Sequence, residues 1–196
     1  MKIVGIGAQI AQGKTVLAKY LTNKMDKWYN RSLATPVKQI FMDNFDVDQD
    51  FIEEWKRKDV PPPGFDLPIR DCLILIGDNF RKMLSSVWIS KCFKDQVSNF
   101  IIDDMRYINE TNYIRNNGGH TILLWRPSFE NSIQNDSEQQ FMPFVNKLKQ
   151  LNFDGVIPKG LNIPFDLWIR NDGTLGDLYE KADKIIIPYI NSVYEN

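Results

Sequence analysis

The chain has 196 residues, 43% of them hydrophobic and 25% charged, enough for one well-buried core and too few for two comfortable domains. Its 24 Lys and Arg against 25 Asp and Glu leave a formal charge of −1, so no global field draws it to nucleic acid or to an anionic membrane. No stretch approaches the ~20 apolar residues of a membrane span, and the opening KIVGIGA lacks the regions of a secretory signal, which predicts a cytoplasmic protein.

KIVGIGA is a short apolar run rich in β-branched residues and predicts a buried strand. GKTVLAKYLTNKM sets Val16, Leu17, Tyr20, Leu21 and Met25 at helical spacing, so a helix begins near Gly13. RSLA reads as a short strand, and TPVKQIFMDNF as a helix with Thr35 as cap and Pro36 at its first position. Residues 46–68, highly charged and ending in a proline-glycine cluster, read as a mobile insertion in a single domain spanning 1–196. IRDCLILIGDNFRKML predicts a helix, and SSVWISKCFKDQV another behind a serine cap. Cys72 and Cys92 fall in these apolar stretches and are expected to be reduced packing residues.

NFIIDDMR predicts a buried strand ending on two aspartates, YINETNYIRNNGG a helix stopped by Asn-Asn-Gly-Gly, and HTILLWRP a strand stopped by Pro127. After a polar loop at 128–138, QQFMPFVNKLKQLNF reads as a helix and FDLWI as a strand. Residues 128–164 are expected to form a lid or extension, and the final helix to kink or end near Pro188. Strands alternating with helices predict an α/β fold of three layers, a mostly parallel sheet with helices on both faces. Ligands of such sheets sit beyond the carboxyl ends of the strands.

GIGAQIAQGKT carries the chemistry. A glycine, four residues and Gly-Lys-Ser/Thr between a strand and a helix form a loop that cradles phosphates. Here the first position is Ala8, a mild departure, followed by Gly13, Lys14 and Thr15. Backbone amides along the loop, those of Ala11, Gln12, Gly13, Lys14, Thr15 and Val16 among them, would face an anion where the helix dipole favours negative charge. Lys14 would reach the β- and γ-phosphates of ATP, and Thr15 would place its hydroxyl on Mg²⁺. The competing reading, a Gly-Lys-Thr that merely opens a helix, is disfavoured by the strand before it.

Phosphoryl transfer between two anions needs positive charge around both. Lys38 lies in a first helical turn. Arg70 and Arg81 lie eleven residues apart on one helix, about three turns, and so on roughly one side. Arg106 and Arg126 end strands. Each alone reads as a surface charge; together at strand ends they outline a cleft. Asp103 and Asp104 stand where a phosphate-loop enzyme keeps its metal-ordering acid, or else cap the next helix.

These pieces resemble, in order along most of the chain, the deoxynucleoside-monophosphate kinases of bacteriophages, a branch of the P-loop nucleoside-monophosphate kinases. The matching segments are GAQIAQGKT, LATPVKQIF, IRDCLILIGDNFR with Trp88 after it, FIIDDMRYINE, GGHTILLWRP and DLWIRNDGTLGDL. The resemblance implies transfer of the γ-phosphate of ATP, with Mg²⁺, to a deoxynucleoside 5′-monophosphate for DNA precursor synthesis, in the cytoplasm of a host if the source is viral.

It further implies that Lys14, Arg81, Asp104 and Arg106 act in catalysis, with Thr15 and Asp104 on the metal and Asp103 ranked second. Lys38, Arg70, Asp104, Arg106 and Glu110 would serve the acceptor, Glu110 orienting Arg106 or the base or else standing as an exposed helix charge. Trp88 walls the acceptor site or packs in the core. Arg126 and the turn with Asn171 and Gly173 would hold adenine. A homodimer is compatible with the family.

One departure is Asn135-Asp136-Ser137-Glu138 in place of a His-x-Ser/Thr-Glu segment, and another is the longer stretch 141–164. His120, the only histidine, reads as structural. Two rival readings stay open, a P-loop kinase for another small phosphate ester and a nucleotide-gated assembly ATPase.

Overall fold

The structure is a computed structural model and describes residues 1–93, 98–127 and 139–194. Its strands are β1 Ile3–Gly7, β2 Trp28–Arg31, β3 Asn99–Met105, β4 His120–Trp125, β5 Gly155–Val156 and β6 Leu167–Arg170. Its described α-helices begin with α1 Lys14–Lys24, α2 Thr35–Phe45, α3 Gln49–Trp55, α4 Ile69–Met83 and α5 Val87–Cys92. They continue with α6 Ile108–Asn116, α7 Met142–Lys149, α8 Leu175–Lys181 and α9 Ile187–Tyr194. Two compact units result, one of residues 1–32 with 94–196, the other of residues 33–93.

In the first unit one sheet runs in the order β2-β3-β1-β4-β6-β5, and only the β5–β6 pairing is antiparallel. The fold is α/β with a mostly parallel sheet between helical layers, as the sequence predicts. Alternation along β1 explains the layering. Val4 and Ile6 face Leu17, Ala18 and Leu21 of α1, Leu178 of α8 and Ile190 of α9 in one buried cluster. Fully burying such an aliphatic side chain contributes about 1.5 to 3 kcal/mol.

The alternate positions are glycines because rings and long side chains lie close on them. A Cβ on Gly5 would stand 2.6 Å from Ile114 Cδ1 of α6, and one on Gly7 2.8 Å from the Phe165 ring. Phe141, next to α7, also covers Gly7 and is itself 2% exposed. The described part of the expected lid or extension falls in this unit. Val145, Leu148, Ile157 and Ile163 are buried, and β5 pairs with β6. The rest of that expectation, 128–138, with the Asn135-Asp136-Ser137-Glu138 departure, lies outside the described residues.

The second unit packs α2, α3 and α4 around Phe41, Ile52 and Ile69. The expected insertion, 46–68, falls inside this longer unit and feeds its core. Ile52 of α3 is fully buried, and Phe65 lies with ring centroids 5.6 to 5.8 Å from Phe41, Phe45 and Phe51. The proline-glycine cluster turns the chain so that Phe65 returns to that core, its amide donating to the Pro62 carbonyl at 3.1 Å.

Several local readings shift. The second strand is WYNR, not RSLA, sharing only Arg31. The cap of α2 is Ala34, which moves Thr35 into the helix, and Ser86 before α5 makes no side-chain cap bond. β5 is unanticipated, since two residues carry no periodicity. The last helix contains a π-helical turn, Ala182–Ile186, just before Pro188. A proline lacks the N–H that an α-helical ladder would use there, and the wider turn accommodates it.

Candidate phosphate-transfer site

Loop 8–13 leaves β1 at the carboxyl end of the sheet, with β3 on one side and β4 on the other. Two left-handed residues bend it, Ala11 at φ 58° and Gly13 at φ 98°. At Gly13 a side chain is excluded twice, by that φ and by Asn171 Nδ2, 2.8 Å from where a Cβ would stand. α1 then starts at Lys14 with no side-chain cap bond from Gly13, its first amides turned toward the loop as at an anion-binding helix start.

Lys14 is 9% exposed, and its ammonium donates to the carbonyls of Ala8 at 2.5 Å and Gln9 at 2.6 Å. The Gln12 carboxamide accepts from Gln9 N–H at 3.3 Å and donates to Gln9 Oε1 at 2.9 Å. Val16, the third residue of α1, is exposed.

β3 advances three residues, from Ile102 to Met105, while β1 advances two, from Gly5 to Gly7. Asp103 and Asp104 occupy this irregularity, the kind of bulge that re-aims side chains beside active sites. Asp103 is 5% exposed and accepts from Asn30 Nδ2 at 3.2 Å. The Thr15 side chain favours the ionised form of Asp103, and Asp104 accepts from Ser32 Oγ at 2.6 Å. Burial pushes the Asp103 carboxyl above its ordinary range, and the neighbouring Asp104 adds to the effect.

Asp103 thus faces Asn30 and the Thr15 side, and Asp104 accepts from Ser32, so both acids stand beside the loop. Asn30 and Ser32 were missed because β2 was misplaced, although both are polar residues at a strand end.

Mg²⁺ takes hard oxygen ligands and keeps several waters. The Thr15 hydroxyl and the Asp103 carboxylate fit that donor set, and a cation would relieve the buried charge. Among the described residues no three His, Cys, Asp or Glu cluster as a metal site, so phosphate or water oxygens would complete the shell.

Glu110 is 2% exposed and accepts from the backbone N–H groups of Arg106 at 2.9 Å and Tyr107 at 3.1 Å. It holds the backbone of Arg106 at the start of α6 and is not an exposed helix charge. Arg126 follows β4, and the Asn171 amide at the end of β6 donates to the neighbouring Trp125 carbonyl at 2.7 Å. Asn171 Nδ2 donates to the Gln12 carbonyl at 3.0 Å, so it braces the phosphate loop. Gly173 is small because Asp177, which receives the Thr174 N–H at 2.7 Å in the α8 cap, fills the space over it.

The expected acceptor residues of the second unit stand as follows. Lys38 Nζ meets Glu53 Oε1 at 2.7 Å, and Lys56 holds the other Glu53 oxygen. The Lys38 hydrogen bond foremost, and Lys56 after it, lower the Glu53 pKa to about 2. Arg70 is exposed on α4, and Arg81 on the same helix pairs with Asp78 at 3.3 Å. Trp88 is 1% exposed, donates its indole N–H to the Gly77 carbonyl at 3.1 Å and packs on Phe80. Of its two readings, wall and core, Trp88 takes the core.

His120 is structural. Its Nδ1 meets Tyr189 Oη at 2.7 Å, and its ring is edge-on to Tyr194. Cys72 and Cys92 are free thiols, and no described helix is long and apolar enough to cross a membrane.

No protein-family model and no curated protein matches the chain. Among solved structures it is similar to dephospho-CoA kinase from Campylobacter jejuni, at 15% identity and TM-score 0.48 over 98% of this chain and 99% of that one. It is also similar to shikimate kinase from Aquifex aeolicus, at 13% identity and TM-score 0.48 over 99% of both chains. A third is thymidylate kinase from Candida albicans, at 16% identity and TM-score 0.44 over 96% and 92%.

Proposed function

We propose that the chain is an ATP-dependent phosphotransferase that passes the γ-phosphate of ATP to a deoxynucleoside 5′-monophosphate, giving the diphosphate and ADP. The observation that carries this reading is the phosphate loop between β1 and α1 at the carboxyl end of the sheet, with Asp103 and Asp104 on the adjacent β3. When bound, Mg²⁺ would supply charge neutralisation across the β- and γ-phosphates.

Lys14 is within reach of the loop interior and would exchange its contacts with the Ala8 and Gln9 carbonyls for phosphate oxygens. The first amides of α1 would orient the same phosphates. Thr15 with Asp103 or Asp104 would hold the metal, and the acid not on the metal would face the acceptor. Arg81 and Arg106 stabilise charge that develops in transfer, while Lys38 and Arg70 bind the acceptor phosphate. A monophosphate is already largely ionised at pH 7, so its oxygen needs no strong base to attack the γ-phosphorus. The bond to the β–γ bridging oxygen breaks as the new P–O bond forms, and ADP leaves.

The test is ADP formation from ATP and Mg²⁺ with dGMP, dTMP, dCMP, dAMP and their ribose counterparts added one at a time. One or more deoxynucleotides should stimulate turnover, and Lys14→Ala should abolish it. ADP release indifferent to every acceptor would favour an ATPase instead. Alanine variants should also divide: Arg81 and Arg106 lose kcat, Lys38 and Arg70 raise KM for the monophosphate. Equal kcat losses at all four would sink that division.

A further inference from the structure

The phosphate loop contains two long amide side chains that no phosphate-binding role requires. Gln9 and Gln12 are 4% and 1% exposed, so neither carboxamide is open to a ligand. Buried amides of this kind must be paired, and these two pair with each other. Gln12 Oε1 receives the Gln9 backbone N–H at 3.3 Å, and Gln12 Nε2 donates to Gln9 Oε1 at 2.9 Å. The Gln12 carbonyl is in turn held by Asn171 Nδ2 at 3.0 Å, and Asn171 N–H is fixed on the Trp125 carbonyl at 2.7 Å. A continuous hydrogen-bonded chain thus runs from the ends of β4 and β6 into the loop.

Two consequences follow from this wiring. The Gln9 amide is satisfied inside the loop by Gln12 and is not turned outward to a phosphate. The strained left-handed turn at Ala11, φ 58°, is also bracketed by the two cross-linked glutamines, which hold it in place.

We infer that Gln12 is a positioning residue: its side chain latches to Gln9 and sets the phosphate loop in its binding shape before the nucleotide arrives. The inference rests on the nucleotide reading above and deepens it. A loop already ordered forfeits less freedom on binding, so the latch acts on nucleotide affinity rather than on the chemical step. It leaves the acceptor alone.

The test is ADP binding, with Mg²⁺, to the full chain by titration calorimetry, alongside steady-state kinetics and melting temperature. Gln12→Ala should weaken ADP about tenfold, the loss expected when a buried hydrogen-bonded pair is unmade. KM for ATP should rise by a similar factor, while kcat at saturating ATP and KM for the acceptor stay put. Gln9→Ala should show a smaller loss of the same kind, because its backbone amide can still reach Gln12, and it serves if Gln12→Ala does not fold. The double variant should lose no more than Gln12→Ala alone, since the two side chains act as one device. Wild-type ADP affinity in both variants, additive losses, or a fall in melting temperature with unchanged KM would overturn the latch. Failure of the wild type itself to bind ADP would overturn the nucleotide reading and the latch with it, an outcome distinct from variants that bind as well as wild type.

Discussion

Asp103 is a residue whose burial works against stability and for chemistry. Its carboxyl is raised by burial first and by Asp104 second, so the ionised form present at neutral pH is disfavoured in the folded chain. The sign is that of a raised pKa: the stabilising contribution is present below the ordinary carboxyl value and lost as pH rises through the raised one. Asp103→Asn, which keeps an acceptor for Asn30 and Thr15, should therefore raise the melting temperature by about 2 to 4 °C. The same change should lower Mg²⁺-dependent turnover about ten- to a hundredfold. A melting temperature that falls would contradict the sign.

Gly13→Ala tests the loop by strain. The φ of 98° and the 2.8 Å approach of Asn171 should cost about 1 to 3 kcal/mol, seen in urea unfolding, together with loss of ADP binding. Stability equal to wild type would show that the turn is not held. Both residues could be read from the sequence, Gly13 by its motif. Asp103 and Asp104 are legible as a pair at a strand end, but a strand pattern cannot reveal the irregular register there, nor that Asp103 meets Asn30 and Asp104 meets Ser32.

Between elements, the Lys38–Glu53 pair joins α2 to α3 within the second unit. A carboxylate lowered to about 2 stays ionised at every working pH, so the pair contributes above the ordinary glutamate value and fades only as pH falls toward 2. Both partners are partly exposed, which limits the pair to about 0.5 kcal/mol. Glu53→Gln releases Lys38 from its counter-charge. If Lys38 binds the acceptor phosphate, KM for the monophosphate should drop a few-fold at constant kcat; an unchanged KM would remove Lys38 from that role.

The elements show where sequence reading works. β1, α1, β3, α6, β4 and α4 are long or strongly patterned, and the structure has each of them. Charge and prolines in 46–68 hid Ile52 and Phe65, two spaced core residues that no periodic face announces. Trp88 was ambiguous for a related reason, since burial of a tryptophan depends on which carbonyl its N–H finds, and that carbonyl is Gly77, eleven residues away.

At the scale of the whole molecule, the single histidine makes acid behaviour unusually readable. Burial lowers the His120 pKa, with Asp166 opposing, so the unfolded chain takes up its proton first as pH falls. Stability from this group is present above about 6.5 and declines below it. The melting temperature should slip between pH 6.5 and 5.5, and His120→Gln should flatten that slope; an unchanged slope would place the acid sensitivity elsewhere.

The phosphate loop after β1 and the acids of β3 share one edge of the sheet, where the proposed transfer of a phosphoryl group from ATP to a second nucleotide would take place. The most direct measurement uses ATP labelled at the γ-phosphate, incubated with the best acceptor and Mg²⁺, with products separated by chromatography. Label should appear in a deoxynucleoside diphosphate, matched mole for mole by ADP and absent with Lys14→Ala. Label recovered only as inorganic phosphate, with or without acceptor, would contradict that transfer.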